Sequence, residues 1–557
     1  MVDVYQLRDA DLGALGTAAQ RWRQLAEALD KAESNAANNV GWNLRGSHWT
    51  GPAADAAYRN LDRLDGDLRH AAQECRLVFT AVDAAHGVFA AQQAKLRKLL
   101  DDAAGRFFVT AGGEVTYQEV TFGPGATTQD IEYATRTNAA MRGAAADLHG
   151  GIAAIMRIVT DEDAKLATVL PQLDVVSGTD TNLSSWQGVQ QDTAAVASLT
   201  GVDANAIPHD PKAAAAWWRG PTPEQQETYL ALKPAELGRT DGIPADVRDR
   251  ANRVMLQEEK FRLQTQIDAA RLPSERARLQ SKLDGLATLE SRLDYQLDEA
   301  SENPYGQRIP PAYLLGYSTD GNGRAIVSVG NPDTAKNVAV YVPGTGATLG
   351  ESDGLITRAE RVQGSATVAD ETWSTASIMW LGYDAPQDPL TESSRTIYAD
   401  HGAPKLAQFS AGLAAAHEGP PANTTLIAHS YASLVAGRAL ERNGMTVDNL
   451  VIVGGVGTGP EHATDLHMPA DRVWAGTAAA DLVPDEAIPV NPLKWFDDSS
   501  ARFGADPTSA KFGANTLPTD RGDMPSDPLT IPAHSQYWDP GSSSLRAMGR
   551  ITAGTTS

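Results

Sequence analysis

The stretch Thr424-Thr425-Leu426-Ile427-Ala428-His429-Ser430-Tyr431-Ala432-Ser433 decides the fold of the C-terminal half of this chain. A short apolar run ends in small-x-Ser-x-small, and a helical pattern follows at once in Leu434-Val435-Ala436-Gly437-Arg438-Ala439-Leu440. A serine on a sharp strand-to-helix turn needs small residues two positions before and after it, because the strand and helix backbones nearly touch there. The pattern is that of a nucleophile elbow, with Ala428 and Ala432 where glycines are usual. Such a turn lifts the hydroxyl off the sheet edge and aims a helix N-terminus at a developing oxyanion.

Outward from this turn, from about residue 311 onward, strand and helix patterns alternate, which predicts a mostly parallel sheet. Strands are expected at 312–318, 324–330, 337–342, 374–381, 423–429, 448–454 and 471–476, and helices at about 352–370, 398–417 and 431–443. Asp320-Gly321-Asn322-Gly323 joins the first two strands as a hairpin.

A serine nucleophile needs a histidine to take its proton and a carboxylate to orient that histidine. Downstream of Ser430 the histidines are His462, His467 and His534. His534, in Ile531-Pro532-Ala533-His534-Ser535-Gln536-Tyr537-Trp538, lies in a loop after the last expected strand and before a final helical segment. His462 and His467 come too early, and His429 is expected to pack or donate a hydrogen bond within the elbow. Asp481 follows the strand at 471–476 and is the candidate acid, with Asp485 and Glu486 as alternatives. An oxyanion hole needs two backbone N–H groups, one from Tyr431 and the other from the loop Val342-Pro343-Gly344-Thr345-Gly346, where Thr345 is the candidate donor. That loop lacks the Gly-Lys-Ser/Thr of a phosphate cradle, and Gly454-Gly455-Val456-Gly457-Thr458-Gly459 reads as a tight loop. His462-x-x-Asp465-x-His467 constrains no metal geometry and reads as a polar loop; no cofactor and no metal are expected.

The rest of the chain is mainly helical. Residues 1–105 carry the apolar period of long helices, in Leu12, Leu15, Ala18, Trp22, Leu25 and Leu29 and again in Tyr58, Leu61, Leu64 and Leu68, separated by Trp49-Thr50-Gly51-Pro52. The segment 114–122 alternates as a small strand or hairpin, 126–170 is helical, and the polar stretch 171–196 reads as a linker. Thr222-Pro223, with Gln225 following, opens another helix. Residues 246–300 form a helical pair broken at Pro273, whose charged residues read as a solvated face. These patterns divide the chain into 1–105, 106–300 and 301–557.

The net charge of -23, from 47 basic and 70 acidic residues, argues against a nucleic-acid partner and against an anionic membrane surface. The single cysteine, Cys75, allows no internal disulfide and is expected in a helical core. No apolar run approaches the roughly 20 residues of a membrane span. The first residues show no signal peptide, so the expected location is cytoplasmic, or outside after export without a cleaved signal.

Two resemblances extend these readings. Helix, Trp49-Thr50-Gly51 turn and helix resemble the WxG-type, ESX-like hairpins of type VII secretion substrates and partners, which implies a small helical partner protein and a type VII route. Residues 311–555 resemble an actinobacterial α/β-hydrolase family of long-unassigned function. The resemblance rests on Tyr313-Leu314-Leu315, Val342-Pro343-Gly344-Thr345-Gly346, His429-Ser430-Tyr431, Ala480-Asp481, Phe512-Gly513-Ala514 and His534-Ser535-Gln536-Tyr537. Trp217-Trp218 and Asp241-Gly242-Ile243-Pro244 resemble a region that accompanies this domain. The expected architecture is an N-terminal all-α region followed by an α/β-hydrolase domain. The expected activity is cleavage of acyl or lipid esters through Ser430, His534 and Asp481. The alternative is a weak or inactive scaffold on the same fold, motivated by the two elbow alanines.

Overall fold

The structure, a computed structural model, describes residues 2–36, 49–173, 184–200, 202, 206–295, 309–371, 374–389, 391–481, 500–524 and 532–555. The chain forms two compact units, Met1–Glu33 with Arg63–Val202, and Ser34–Asp62 with Asp203–Ser557.

The first unit is helical. Helices Leu12–Ala36 and Pro52–Ala103 contribute most of their length to it. Glu33 meets Arg69, Asp30 meets Arg76, and Gly16 lies against His86, so residue numbers climb on one helix as they fall on the other and the two run antiparallel. Cys75 is buried, as its helical setting predicts, and burial pushes its thiol up to about 11. Helix Thr128–Val169 opens on a Thr127–Asp130 capping box. Only Val115–Thr116 of the expected 114–122 strand is paired, with Phe108–Val109. Beyond it the Val120 amide bonds the Asn138 side chain instead of a neighbouring strand, which ends the ladder. Part of the expected linker is helix Ser184–Thr200, where Val189 and Val196, seven residues apart, bury one face; 174–183 lies outside the described residues.

In the second unit an eight-stranded sheet carries the fold. Its strands are β1 (Ala312–Ser318), β2 (Arg324–Val329), β3 (Asn337–Val342), β4 (Thr375–Leu381), β5 (Asn423–His429), β6 (Asn449–Val453), β7 (Val473–Gly476) and β8 (Asn515–Thr516), in the order β8-β7-β6-β5-β3-β4-β2-β1. The β1–β2 and β2–β4 pairs are antiparallel and all others parallel. β3, β4 and β6 are buried along their whole length, as strands covered by helices on both faces must be. Helices α1 (Ser352–Ala369), α2 (Ile397–Ala416), α3 (Ala432–Asn443) and α4 (Ser543–Ala553) cover the sheet, with α1 packed on α4 and α2 on α3.

Some charged and polar residues of helix Ala245–Ala269 are turned inward instead of lying on the expected solvated face. Asp249 accepts the Leu314 amide at 2.7 Å, and Asn252 donates to the Leu314 carbonyl at 2.8 Å. Those backbone groups belong to edge strand β1, whose open side would otherwise template pairing with another chain. Arg248, 5% exposed, pairs with Asp241. Leu256 and Leu263, with Leu286, Leu289 and Leu293 of helix Pro273–Tyr295, join the core of the sheet.

Candidate active site

At the carboxyl end of β5 the chain turns into α3, and Ser430 occupies the turn with φ of +57°. A non-glycine residue takes this left-handed conformation only where its surroundings hold it. Here the Ser430 amide bonds the Val453 carbonyl of β6 at 3.1 Å, and its carbonyl accepts the Ser433 amide at 3.0 Å. Ala428 and Ala432 are completely buried, so their methyls are packed without flattening the turn.

The loop after β3 comes close to this elbow because residue 344 is glycine. A Cβ there would stand 2.7 Å from the His429 carbonyl and 2.8 Å from Ser430 Cβ. Gly344, Thr345 and Tyr431 consequently line one cavity with Ser430 and His534, about 450 Å³ in volume. Among the described residues, neither the Thr345 nor the Tyr431 amide is taken up by a backbone hydrogen bond. Loop 384–397 supplies Gln387, Pro389 and Ser393 to the wall, and Arg502 reaches it from the later loop, donating to the Ser393 carbonyl at 2.9 Å.

Asp481 follows β7 in a turn closed by its amide on the Ala478 carbonyl. His534 lies in the short helical turn Pro532–Trp538. The two side chains meet: His534 Nδ1 is 3.0 Å and 2.8 Å from the two carboxylate oxygens. A carboxylate only accepts, so Nδ1 is the nitrogen that donates, and in the neutral imidazole the lone pair is then on Nε2. No hydrogen bond joins Ser430 Oγ to His534 among the described residues; such bonds are commonly long in enzymes without substrate and tighten when it binds. The alternatives Asp485 and Glu486 lie outside the described residues.

Other groups hold this pair. Tyr537 donates to Asp481 Oδ2 at 2.6 Å and accepts the Ala478 amide. Burial, and then the Asp481 charge, push its phenol far above the ordinary value, so it stays a donor. His429 Nε2 donates to the His534 carbonyl at 2.8 Å, a partner outside the elbow where its contact was expected. Burial pushes His429 well below its ordinary value, with His534 and Arg358 adding to the effect, so it remains neutral. At Gly454, φ +54°, a Cβ would lie 2.8 Å from Asp481 Oδ2 and 3.1 Å from the His534 ring. The sequence signal for Tyr537 is its place in the His534 segment; no sequence signal marks Gly454, which reads as one glycine of a tight loop.

His462 is turned away to the Lys511 carbonyl, and His467 sits in a left-handed turn. Among the described residues no group of three or more His, Cys, Asp or Glu is placed to hold a metal ion.

Residues 319–491 match a family model described as alpha/beta hydrolase. That span contains Ser430 and Asp481 and ends before His534. An uncharacterized protein of Mycobacterium tuberculosis is 29% identical over 378 residues, 61% of this chain and 55% of the relative. An uncharacterized protein of Mycobacterium bovis is 35% identical over 149 residues, 26% of this chain and 55% of the relative. The chain thus spans about half the length of the relatives it matches. No solved structure matches it. The C-terminal part of the chain is an alpha/beta hydrolase domain, and the expected mostly parallel sheet is its frame. Among the described residues no helix is long and apolar enough to cross a membrane.

Proposed function

We propose that this domain is a serine hydrolase that cleaves carboxylic esters through an acyl-enzyme. The observation that carries the proposal is Ser430, held at positive φ in a cavity it shares with His534, whose Nδ1 is bound to the buried Asp481. In this reading Ser430 Oγ attacks the ester carbonyl while His534 Nε2 takes its proton. The Tyr431 and Thr345 amides bind the oxyanion that forms. The tetrahedral species collapses, the C–O bond to the alcohol breaks, and the alcohol leaves with the proton from His534. Water, deprotonated by the same imidazole, then attacks the acyl-serine and releases the acid. Asp481 stabilises the imidazolium throughout, with Tyr537 and His429 as positioning residues.

The test is labelling with a fluorophosphonate together with 4-nitrophenyl ester turnover. Wild type is expected to label and turn over, and Ser430→Ala to do neither. Labelling that persists in Ser430→Ala removes Ser430 from the mechanism. A fully folded wild type inert to both reagents leaves the scaffold alternative, whose motive the well-packed Ala428 and Ala432 weaken.

For the N-terminal region we propose a docking role toward a small helical WxG-type protein and a type VII export route. The support is the antiparallel helix pair and Trp49, which is 41% exposed. Co-purification of the full chain with such a partner, lost on Trp49→Ala, is the expected result; an unchanged yield of partner overturns it.

A further inference from the structure

The wall of the Ser430 cavity contains a guanidinium whose orientation is fixed and whose charge is not neutralised by its anchors. Arg358, on α1, lines the cavity with Ser430, Tyr431 and His534. Its Nη1 donates to the Tyr341 phenol at 2.8 Å, and its Cζ lies 4.7 Å from the centroid of the Trp538 ring. Tyr341 is completely buried, and burial raises its phenol, so this anchor is neutral. Two acidic residues on the same helix, Asp353 and Glu360, pair with Arg292, and Asp539, next to Trp538 in sequence, pairs with Arg361. A guanidinium has five N–H donors in a planar fork. With Nη1 tethered, the Nε–Nη2 edge remains, the edge that pairs with two oxygens of a carboxylate.

The surroundings point the same way. Arg358 also lines an adjoining cleft of about 300 Å³ with Leu355, Ser535 and Trp538, so it stands where the two spaces meet. Among the described residues that line the larger cavity, Arg358 and Arg502 stand against one carboxylate, Glu351, which is exposed. Arg502 is engaged with loop carbonyls and braces the wall. The described lining thus carries more basic than acidic groups in a chain of net charge -23.

We propose that Arg358 is a specificity-determining residue that binds a carboxylate at the far end of the substrate's acyl chain, so that the cavity selects half-esters of dicarboxylic acids over uncharged esters. This inference rests on Ser430 being the nucleophile.

The test compares kcat/KM of the full chain for the mono-4-nitrophenyl esters of adipic and suberic acid with that for 4-nitrophenyl hexanoate and octanoate. The charged-to-uncharged ratio is the readout, because a general disturbance of Tyr341 or Trp538 lowers both members of a pair and cancels. Wild type is expected to favour the charged ester at one length or both. Arg358→Gln is expected to lower that ratio on the order of 10- to 100-fold, the range of a charge-assisted hydrogen bond, with Arg358→Lys between the two. A wild-type ratio below one at both lengths, or a ratio that Arg358→Gln leaves unchanged, overturns the proposal. Should Arg358→Gln fail to fold, the wild-type ratio and Arg358→Lys decide. If nothing is turned over, the Ser430 mechanism has failed separately, and calorimetric binding of the same ester pairs to the Ser430→Ala chain tests Arg358. Tighter binding of the charged ester, lost when Arg358→Gln is added, supports it; equal binding of the pair overturns it.

Discussion

The Tyr537 phenol donates to Asp481 Oδ2 at 2.6 Å while accepting the Ala478 amide at 3.0 Å, which ties the acid of the candidate triad to the loop that presents the histidine. Both partners are buried, so the carboxylate's second oxygen finds in the phenol the hydrogen bond that water supplies at a surface. Tyr537→Phe removes that bond and leaves the Ala478 amide without its acceptor. The variant is expected to lose about 2 kcal/mol of stability, as for hydrogen bonds to charged groups. With that anchor gone the carboxylate orients the imidazole less firmly, and kcat/KM should fall about tenfold. A kcat/KM that stays within about twofold of wild type while only stability falls makes Tyr537 a purely structural residue.

Gly344→Ala and Gly454→Ala probe the two close approaches that shape the site. The first puts a methyl against the His429 carbonyl and Ser430 Cβ, which pushes the loop bearing Thr345 off the elbow. The second puts one between Asp481 and His534 at a backbone φ of +54°. Gly344→Ala should lower kcat on the order of 100-fold, the loss expected for one oxyanion donor. Gly454→Ala should in addition be less stable by about 1–3 kcal/mol from backbone strain. Ester turnover with circular dichroism and urea titration separates the two effects. Turnover within about threefold of wild type in Gly344→Ala detaches the loop after β3 from the chemistry.

Much of the hydrolase domain can be read from the chain because its strands are continuous apolar runs bounded by Gly, Pro and Asn. β3 and β5 fall on the residues expected, and β7 starts later than expected, at Val473, after a short helical turn at Ala470–Arg472. The order serine, acid, histidine is also a property of the sequence, and it brings Asp481 and His534 together. What sequence does not carry is which charged or polar side chain a fold turns inward. Arg358 is one arginine among Arg358 and Arg361 on the same helix, and only the packing of Tyr341 and Trp538 distinguishes it. Asp249 and Asn252 look like residues of an exposed helix face until β1 lies beside them. The same holds for helix Ser184–Thr200, whose polar composition hides the spacing of Val189 and Val196.

Two buried groups give the stability of the second unit opposite responses to acid. His429 titrates well below its ordinary value in the native state, chiefly through burial, so below about pH 6.5 the unfolded chain takes a proton that the native one refuses. Its contribution to stability is intact above that pH and is lost as pH falls. Asp333, buried beneath the N-terminus of helix Ala245–Ala269, is pushed up to about 6, chiefly by burial and against the pull of the Ala245 amide. Its native state takes up a proton that the unfolded chain does not, so it gains stability as pH falls from about 7 toward 4. Urea titrations at pH 7.5 and 5.5 should show the acid-induced loss shrinking by about 1 kcal/mol in His429→Gln and growing by about 1 kcal/mol in Asp333→Asn. Matching pH dependence in wild type and His429→Gln means that His429 takes up a proton in the native state as readily as when unfolded.

The elbow alanines decide whether the site is worn or merely variant. If Ala428 and Ala432 were lesions, glycine at both positions should restore activity manyfold. The structure argues otherwise: both methyls are fully buried in contact with their neighbours, and Ser430 keeps the left-handed backbone of a working elbow. Ala432 is also the first residue of α3, where glycine gives the unfolded chain more freedom to lose on folding. The double variant Ala428→Gly with Ala432→Gly is therefore expected to unfold at lower urea, by about 1–3 kcal/mol in total once the lost methyl burial is included, and to keep kcat/KM within about threefold of wild type. Ester turnover and urea titration on the same preparation check both halves. A gain of tenfold or more in kcat/KM would show that the alanine methyls displace Ser430 Oγ from its working position.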